Sequence, residues 1–299
     1  MQIAFGGDVH FTGSSAAALS GDVGTAVARL KAADLAVVNL ETAVTDRGTP
    51  GPKEFTFRAP AKAMNVLRKS GIDVVTVANN HGMDYGRVGL ADTLAAGRRY
   101  GMHVIGAGAD VTAAYAPYRK TIRGVRVAIF GATDVLDDFA ISTWPATESR
   151  SGLASAKDSD LLLAAVKSAA ATSDVIVVDL HWGVELQSCP TARQRTLAAQ
   201  LTKAGADIVV GSHAHVVEPH IRKGRTAIHY GLGNFIFYAK TGAATQSGVY
   251  TVTVNRRGVV GTKWSPATIR GGRPQLLTGS AAKAATEREN RLADSCGVS

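Results

Sequence analysis

The amino-acid sequence predicts an α/β protein built around a largely parallel sheet. Two observations lead to this fold class. Short apolar runs typical of β-strands recur along the first two-thirds of the chain, and stretches with apolar residues at helical spacing separate them. Gly71, Gly101 and Gly205 follow three of these stretches and are typical helix ends. Strands are predicted at residues 2–6, 35–39, 74–78, 104–105, 125–130, 175–179 and 208–210, and helices at 22–32, 61–70, 88–100, 159–171 and 191–204.

After residue 220 the predicted strands become antiparallel. They cover residues 226–230, 249–255 and 259–262, with an Arg-Arg-Gly turn between the last two. We therefore expect the two halves of the chain to form two sheets packed together. One domain is expected over residues 1–270 and a C-terminal extension over 271–299, whose charge-rich tail from Ser280 forms a terminal helix or a frayed end. Residues 133–157 are rich in turn formers and acids, and we expect a surface loop there near the functional site.

Composition excludes several classes of protein. With 299 residues, of which 45% are hydrophobic, the chain falls in the globular range, and no apolar stretch approaches the roughly 20 residues that span a bilayer. The net charge of +9 is compatible with a polyanionic partner, although the basic residues are scattered. Aromatic residues do not interleave with them, so no nucleic-acid partner is expected. Cys189 and Cys296 are too few for a disulfide framework or a thiolate metal site, and Cys189 is interpreted as incidental.

Polar signatures follow nearly every predicted strand of the first two-thirds. Ligands bind at the carboxyl ends of strands in open α/β sheets, so these signatures should converge. They are Gly7-Asp8-Val9-His10, Asn39-Leu40-Glu41, Asn79-Asn80-His81-Gly82, His181-Trp182-Gly183 and Gly211-Ser212-His213-Ala214-His215. The sequence thus predicts a two-metal site formed by Asp8, His10, Glu41, Asn80, His181, His213 and His215.

Each signature alone has an ordinary alternative, since a lone Asp-x-His or His-x-His is more often a hydrogen-bonded turn than a ligand pair. Five strand ends that together supply carboxylate, imidazole or amide groups have no ordinary packing explanation, because buried charges are costly without partners. Five of the eight histidines lie in these junctions. His103, His220 and His229 are left as strand or loop residues, although His220 is near enough in sequence to line the cleft.

Ligands of nitrogen and oxygen without thiolate suit two divalent ions of zinc, manganese or iron. A carboxylate shared between them allows a spacing of about 3.5–4 Å and an acidified bridging water. His81 follows the predicted ligand Asn80 and could transfer a proton, with Asp84 orienting its ring.

Three further residues are candidates for substrate binding. Trp182 and Glu185 follow His181, and each has an alternative role, as wall packing for Trp182 and as a helix-start or supporting carboxylate for Glu185. Asn234 could contact substrate or hold a loop beside the site by hydrogen bonds. Arg58, Arg87 and Arg119 could bind an anionic substrate, and the sequence does not choose among them.

In these motifs the sequence resembles the bacterial capsule-synthesis family called CapA or PgsA, a branch of the calcineurin-like metallophosphoesterases. The motifs GDVH, NLE, ANNHGMDYG, HWGVE, GSHAH and YGLGNFIF occur in the family's order between Gly6 and Phe237. The resemblance implies a four-layer α-β-β-α sandwich of two mixed sheets. It also implies one ion held by Asp8, His10 and His215, a second held by Asn80, His181 and His213, Glu41 as the bridge, and His81 as the proton donor.

The family is associated with synthesis, transport or anchoring of poly-γ-glutamate at the bacterial envelope, usually behind an N-terminal membrane segment. The resemblance therefore implies an anionic, peptide-like polymer as substrate and a membrane-bound polymer synthase as a possible partner. It implies an extracytoplasmic location if such a segment has been trimmed, and a cytoplasmic one otherwise.

Two features depart from the usual patterns. Asp8-Val9-His10 retains the full phosphoesterase pair, whereas many capsule-family members lack the histidine, and this favours a competent metal site. Asn39-Leu40-Glu41 replaces the aspartate-based GDxxD signature of phosphoesterases, which argues against simple phosphate-ester hydrolysis. The leading function is hydrolysis or transfer at an amide. The alternatives are a phosphoesterase, a metal-dependent epimerase and a non-catalytic assembly factor that binds the polymer and its synthase.

Overall fold

Two mixed β-sheets pack face to face in the computed structural model, which describes residues 1–298. The first sheet has eight strands in the order β18-β17-β16-β1-β2-β5-β6, with β15 paired to β1. Its strands are β1 (Gln2–Val9), β2 (Leu35–Leu40), β5 (Val74–Thr76), β6 (His103–Ile105), β15 (Asn234–Ile236), β16 (Gln246–Asn255), β17 (Gly258–Arg270) and β18 (Arg273–Leu276). On one side of β1, the strands β2, β5 and β6 pair in parallel. On its other side, β16, β17 and β18 pair antiparallel.

The second sheet has six strands in the order β13-β14-β12-β11-β9-β8. Its central strands are parallel and its two edge strands pair antiparallel. The strands are β8 (Tyr118–Ile122), β9 (Val125–Thr133), β11 (Val175–His181), β12 (Ile208–Ser212), β13 (His220–Lys223) and β14 (Thr226–His229). Two short ladders join β3 (Ala43–Val44) to β4 (Arg58–Ala59) and β7 (Ala107–Gly108) to β10 (Gly152–Leu153).

Helices cover the outer face of each sheet and complete the four predicted layers. The helices are α1 (Val27–Lys31), α2 (Lys62–Lys69), α3 (Gly86–Tyr100), α4 (Val111–Ala114), α5 (Asp160–Ala170), α6 (Ala192–Ala204) and α7 (Gly279–Ser295), with 3₁₀ turns at Gly13–Ser20 and Ala243–Thr245. Apolar side chains of α1, α2 and α3 pack on the first sheet, and those of α5 and α6 pack on the second. Within residues 1–298, no helix combines the length and the apolar character needed to cross a bilayer.

Strand β2 shows why the central strands read as continuous apolar runs. All six of its residues are buried. Leu35 and Val37 face the second sheet, whereas Ala36 and Val38 face the helices, because successive side chains of a strand point to opposite faces. A strand covered on both faces therefore has no polar position until its end, where the chain leaves the core.

The division of the chain between the sheets differs from the expected split into halves. Strands after residue 233 return to the first sheet, so this sheet contains both the first third of the chain and its C-terminal strands. The predicted helix 22–32 is also shorter and covers only Val27–Lys31. Gly24 explains the difference, since its φ is +85° and a Cβ there would lie 2.4 Å from the carbonyl oxygen of Pro274. The chain turns against β18 at this point and begins its helix afterwards.

The C-terminal segment packs on the body of the protein. Helix α7 contacts β13 of the second sheet and β17 of the first, and Cys296 beyond it forms a disulfide with Cys189. The interpretation of Cys189 as incidental was therefore wrong. The two cysteines are 107 residues apart, and only the return of α7 across both sheets brings their Cα atoms to 5.3 Å.

Candidate metal centre

The carboxyl ends of strands from both sheets meet at one place, as the strand-end signatures predict. Strands β1 and β2 of the first sheet and β11 and β12 of the second lead into this region. Direct contacts join six predicted ligands, and His10 lies against Phe237, whose ring also contacts His215. The six are Asp8, Glu41, Asn80, His181, His213 and His215.

Glu41 lies at the centre of this cluster. Its Oε1 is 3.5 Å from Nε2 of His181 and 3.8 Å from Nε2 of His215. The same carboxylate belongs to two groups of possible ligands, one with His213 and His215 and the other with Asp8 and His181. Burial, together with the nearby Asp8, raises the pKa of Glu41 well above its usual range. A carboxylate in this position needs positive charge close by.

Several buried polar atoms of these predicted ligands have no hydrogen-bond partner. They are both carboxylate oxygens of Glu41, Nε2 of His10 and Nδ1 of His213. Buried polar atoms in proteins are nearly always hydrogen-bonded, so several unpaired atoms in one place require an explanation. The residues fit divalent cations, because carboxylate and neutral imidazole without thiolate are ligands for zinc, manganese or ferrous iron.

Hydrogen bonds hold the imidazole rings in fixed orientations. Nδ1 of His215 lies 2.9 Å from Oδ1 of Asn234 and 3.1 Å from Oδ2 of Asp8, which leaves Nε2 directed at Glu41. The amide of Asn234 donates to the main-chain carbonyls of His215 and Ala244. Asn234 therefore has the supporting role foreseen as one alternative, and partners of this kind orient metal ligands.

His181 and Asn80 contact each other at the other side of Glu41. Nε2 of His181 lies 2.7 Å from Oδ1 of Asn80. The amide of Asn39 donates to Asp8 at 2.8 Å and lies 3.1 Å from Nδ1 of His181. Asn39 thus connects Asp8 to His181 within one group of ligands, a role that sequence reasoning did not assign to it.

The backbone carries strain at the two histidines that follow β12. His213 has φ +96° and His215 has φ +56°, in the left-handed region that residues with a side chain rarely adopt. Such conformations cost on the order of 1–3 kcal/mol each and concentrate at functional sites. Gly7 lets the backbone of β1 lie directly against the backbone at Gly233, since a Cβ at Gly7 would lie 1.7 Å from the carbonyl oxygen of Gly233.

Burial keeps most of the imidazoles neutral. It lowers the pKa of His10 and of His213 to about 3, with help from the neighbouring His215. It also lowers the pKa of His181 well below its usual range. For His215 burial acts in the same direction, but the carboxylates of Glu41 and Asp8 outweigh it and raise the pKa to about 10.

His81 and Asp84 form a buried pair beside the ligands. Nδ1 of His81 lies 2.7 Å from Oδ2 of Asp84, and that oxygen also accepts from the main-chain N–H of Phe57 at 2.6 Å. Burial lowers the pKa of His81. Because Nδ1 is bonded to the carboxylate, Nε2 is the nitrogen left for a reacting group.

Lys53 supports this pair and was missed by sequence reasoning. Its ammonium lies 3.2 Å from Oδ1 of Asp84 and 2.9 Å from Asp137, and it donates to the main-chain carbonyl of Asn80. Lys53 lies in an irregular segment, so no periodicity or motif marks it. Because Lys53 also contacts Asp137, the segment after Thr133 lies beside the site, as expected.

Asp179 is a second residue that was missed. It is buried on β11, one of its oxygens has no partner, and burial together with Asp8 raises its pKa to about 8. An acidic residue inside the apolar run Val175–His181 was the signal that could have identified it.

A cleft of about 240 Å³ opens beside the cluster. Glu185 and Asn234 line it together with His81 and His215, between the rings of Phe55, Phe57, Phe237 and Tyr238. The structure does not bring Trp182 into the cleft. Trp182 is fully buried in the outer core, where its indole N–H donates to the carbonyl of Tyr230 at 2.7 Å, so wall packing is its role.

The three arginines considered for an anionic substrate do not line this cleft. The guanidinium of Arg58 lies 3.6 Å from the ring centre of Tyr85. Arg87 donates to the carbonyls of Thr143 and Ser151, and Arg119 donates to side chains at the edge of the second sheet. His220 also lies elsewhere, in contact with Glu289 on α7.

Comparison with known proteins gives this arrangement a family. Residues 2–239 match the model described as "Bacterial capsule synthesis protein PGA_cap". The chain belongs to this family. It is 35% identical over 211 residues to the "PGA biosynthesis protein CapA" of Bacillus subtilis, covering 69% of this chain and 54% of that protein.

The chain is also similar to the "Probable polyglutamine synthesis accessory protein" of Mycobacterium tuberculosis. It is 31% identical over 227 residues, which cover 71% of this chain and 57% of that protein. The chain thus spans about half the length of the relatives it matches.

The four-layer fold is that of the calcineurin-like phosphoesterases. A Staphylococcus aureus protein described as a candidate 5′-nucleotidase, in complex with alpha-ketoglutarate, superposes with a TM-score of 0.51 at 14% identity. The match covers 96% of this chain and 58% of that one. At this identity the likeness establishes the fold, and a shared fold does not determine a reaction.

Proposed function

We propose that this capsule-family protein is a metal-dependent enzyme. It would catalyse hydrolysis or transfer at an amide bond of poly-γ-glutamate or a related envelope polymer. The observation that carries the proposal is the His81–Asp84 pair on the wall of the cleft, next to unpaired carboxylate and imidazole atoms. A metal site that served only stability would have no use for an oriented imidazole at its open side.

The resemblance divides the ligands between two ions. Asp8, His10 and His215 would hold one, and Asn80, His181 and His213 the other. Glu41 would contact both. In the structure the ligands group differently, with His213 and His215 on one side and Asp8 and His181 on the other, and the Glu41 carboxylate is common to both groups, which supports a bridging role. When bound, zinc, manganese or ferrous ions supply the positive charge that polarises a carbonyl and acidifies a water molecule.

His81 would transfer a proton at the leaving nitrogen of the amide. Asp84 holds Nδ1, so Nε2 is directed at the substrate, and the carboxylate stabilises the charged ring once His81 takes up a proton. Lys53 fixes Asp84 from the opposite side. The chain therefore holds the acid–base group in place before substrate binds, and this kind of preorganisation accelerates proton transfer.

The cleft suits an amide-containing chain. The rings of Phe57, Phe237 and Tyr238 offer flat apolar walls on which amide planes can pack, and Glu185 can accept from amide N–H groups. No lysine or arginine of the described residues lines the cleft. The carboxylates of an anionic polymer would therefore be matched by the metal ions rather than by basic side chains.

The Cys189–Cys296 disulfide supports an extracytoplasmic location for the reaction. Disulfides persist in oxidising compartments and are rare in the bacterial cytoplasm. A membrane-bound polymer synthase is the partner that such a location makes available.

A non-catalytic assembly factor is the second candidate. The name of the mycobacterial relative includes the words "accessory protein". In this role the metal site would order the surface that binds the polymer and its synthase, and His81 would have no chemical part.

Replacement of His81 by Gln separates the two candidates. Metal-loaded parent protein, H81Q and the control H103Q, whose ring is exposed on β6, would be given γ-glutamyl oligomers and, in parallel, a nitrophenyl phosphate ester. We expect H81Q to keep its metal content and polymer binding and to lose about 10²–10⁴-fold in amide turnover. If parent and H81Q are equally inactive on both substrates while both bind polymer, the assembly-factor role holds. Turnover of the ester alone would make the protein a phosphoesterase.

A further inference from the structure

A second group of possible metal ligands lies away from the cleft. It contains His220 on β13, His229 on β14 and Glu289 on α7, with one ligand atom of each within 4.8 Å of the others. His220 and His229 are register partners across the antiparallel pair, so their rings point to the same side and lie 5.8 Å apart. Oε1 of Glu289 contacts Nδ1 of His220 and lies 4.0 Å from Nε2 of His229.

His229 has an unusual environment for an ordinary core histidine. Its side chain is fully buried, and neither ring nitrogen has a hydrogen-bond partner. One oxygen of the buried Glu289 is also unpaired. A simple ion pair between His220 and Glu289 would explain two of the three residues and leave His229 with both nitrogens unsatisfied, which is costly in a buried site.

The chemistry of the three residues matches a transition-metal ion. Neither ring nitrogen of the buried His229 makes a hydrogen bond, so a lone pair of the ring is free to bind a cation. Two imidazoles and one carboxylate are a common ligand set for zinc. A cavity of about 130 Å³ borders Glu289.

The position of the cluster indicates what such an ion would do. Glu289 is the only one of the three ligands on α7, and the two histidines belong to the edge of the second sheet. The disulfide between Cys189 and Cys296 attaches the end of the helix to the body. A bond through Glu289 would attach its middle.

We propose that His220, His229 and Glu289 bind a zinc-type divalent ion that fastens α7 to the sheet edge. This site shares no residue with the cleft, so it would be occupied whether or not the proposed enzyme activity is correct. In the metal-free protein Glu289 contacts His220 at this edge and makes no hydrogen bond to His229. Metal binding would recruit His229 and make that attachment tighter.

Counting zinc in matched variants tests the site. Parent, E289Q, H220Q and the control E287Q, whose carboxylate is exposed on the same helix, would be loaded with zinc, dialysed and analysed for metal per chain. We expect E289Q and H220Q each to contain one equivalent less than E287Q, and E287Q to equal the parent. If the cleft binds two ions, the parent should contain three zinc ions per chain. If the cleft binds none, the parent should contain one, and the difference of one between variant and control stays the same.

Amide hydrogen exchange gives a second readout. Zinc added to chelated parent protein should slow exchange along α7 by at least about tenfold, and it should have no such effect on α7 of E289Q. H220Q serves if E289Q does not fold, because the ring of His220 is partly exposed and its loss should be tolerated. Equal zinc content in E289Q, H220Q and E287Q would overturn the proposal.

Discussion

Nδ1 of His81 lies 2.7 Å from Oδ2 of Asp84, three residues along the chain, and both side chains are buried. The short separation in sequence means that one turn of the chain orients the imidazole. The carboxylate in turn is held by the main chain at Phe57 and by Lys53, so the orientation depends on a segment about 30 residues earlier as well.

Replacement of Asp84 by Asn should reduce turnover without removing metal. Asparagine keeps an oxygen for the Phe57 N–H, but it does not stabilise a charged imidazole, so kcat is expected to fall about 10–100-fold with little change in KM. Steady-state kinetics and elemental analysis of the same samples check this. Asp92→Asn, which alters a surface pair with Arg47, is the control. Loss of metal together with activity would instead assign Asp84 a structural role.

Replacement of Glu41 by Gln should remove the stabilisation that metal beside the cleft gives. The parent is expected to lose roughly 5–15 °C in Tm when chelated, because tight ligands contribute a few kcal/mol to the folded state. E41Q should bind fewer ions and show a smaller change on chelation than the parent, whereas Glu54→Gln, at an exposed position, should behave as the parent does. Thermal unfolding with and without chelator measures both. A full chelation response in E41Q would show that Glu41 does not bridge.

Loss of the disulfide should weaken the whole fold. Cross-linking residues 107 positions apart removes chain entropy from the unfolded state worth on the order of 4–5 kcal/mol. Cys296→Ser should lower the free energy of unfolding by an amount approaching this value, measured by denaturant titration. Reductant should destabilise the parent and leave the variant unchanged. Equal sensitivity to reductant in both proteins would contradict the pairing.

Glu218 should make stability depend on pH. Burial raises its pKa to about 8, against the opposing effect of the Gln194 amide at 2.8 Å. The folded state therefore binds the proton more tightly than the unfolded state. Its contribution is complete below the usual pKa of a glutamate, about 4.5, and is lost progressively as pH rises toward 8.

Glu218→Gln removes this dependence. The variant should be more stable than the parent by a few kcal/mol at pH 8, and by much less at pH 5. Urea titrations at the two pH values measure the difference, with the exposed Glu148→Gln as control. A gain that is equal at both pH values would show that the charge of Glu218 is not responsible.

Sequence reasoning reached the fold and the ligand candidates because both leave local signals. Apolar strands covered on both faces read as runs, and each run that ends in a polar motif marks the edge of a sheet. Contacts that depend on distant segments left no such signal. Lys53, 31 residues before Asp84, and the pairing of Cys189 with Cys296 belong to this class. Trp182 shows the opposite error, since it follows a ligand in sequence but points away from it into the core.

The sequence by itself determined the α/β class, the family and the residues whose chemistry suits metal ions, because these follow from residue type, order and spacing. Only the tertiary structure decided which side chains share one volume. It placed Glu41 in both groups of ligands and packed Trp182 into the core away from the site. It also brought His220, His229 and Glu289 together from two strands and a helix. The physical reason is that a buried charge or imidazole is stabilised by its neighbours in space, and those neighbours come from anywhere along the chain.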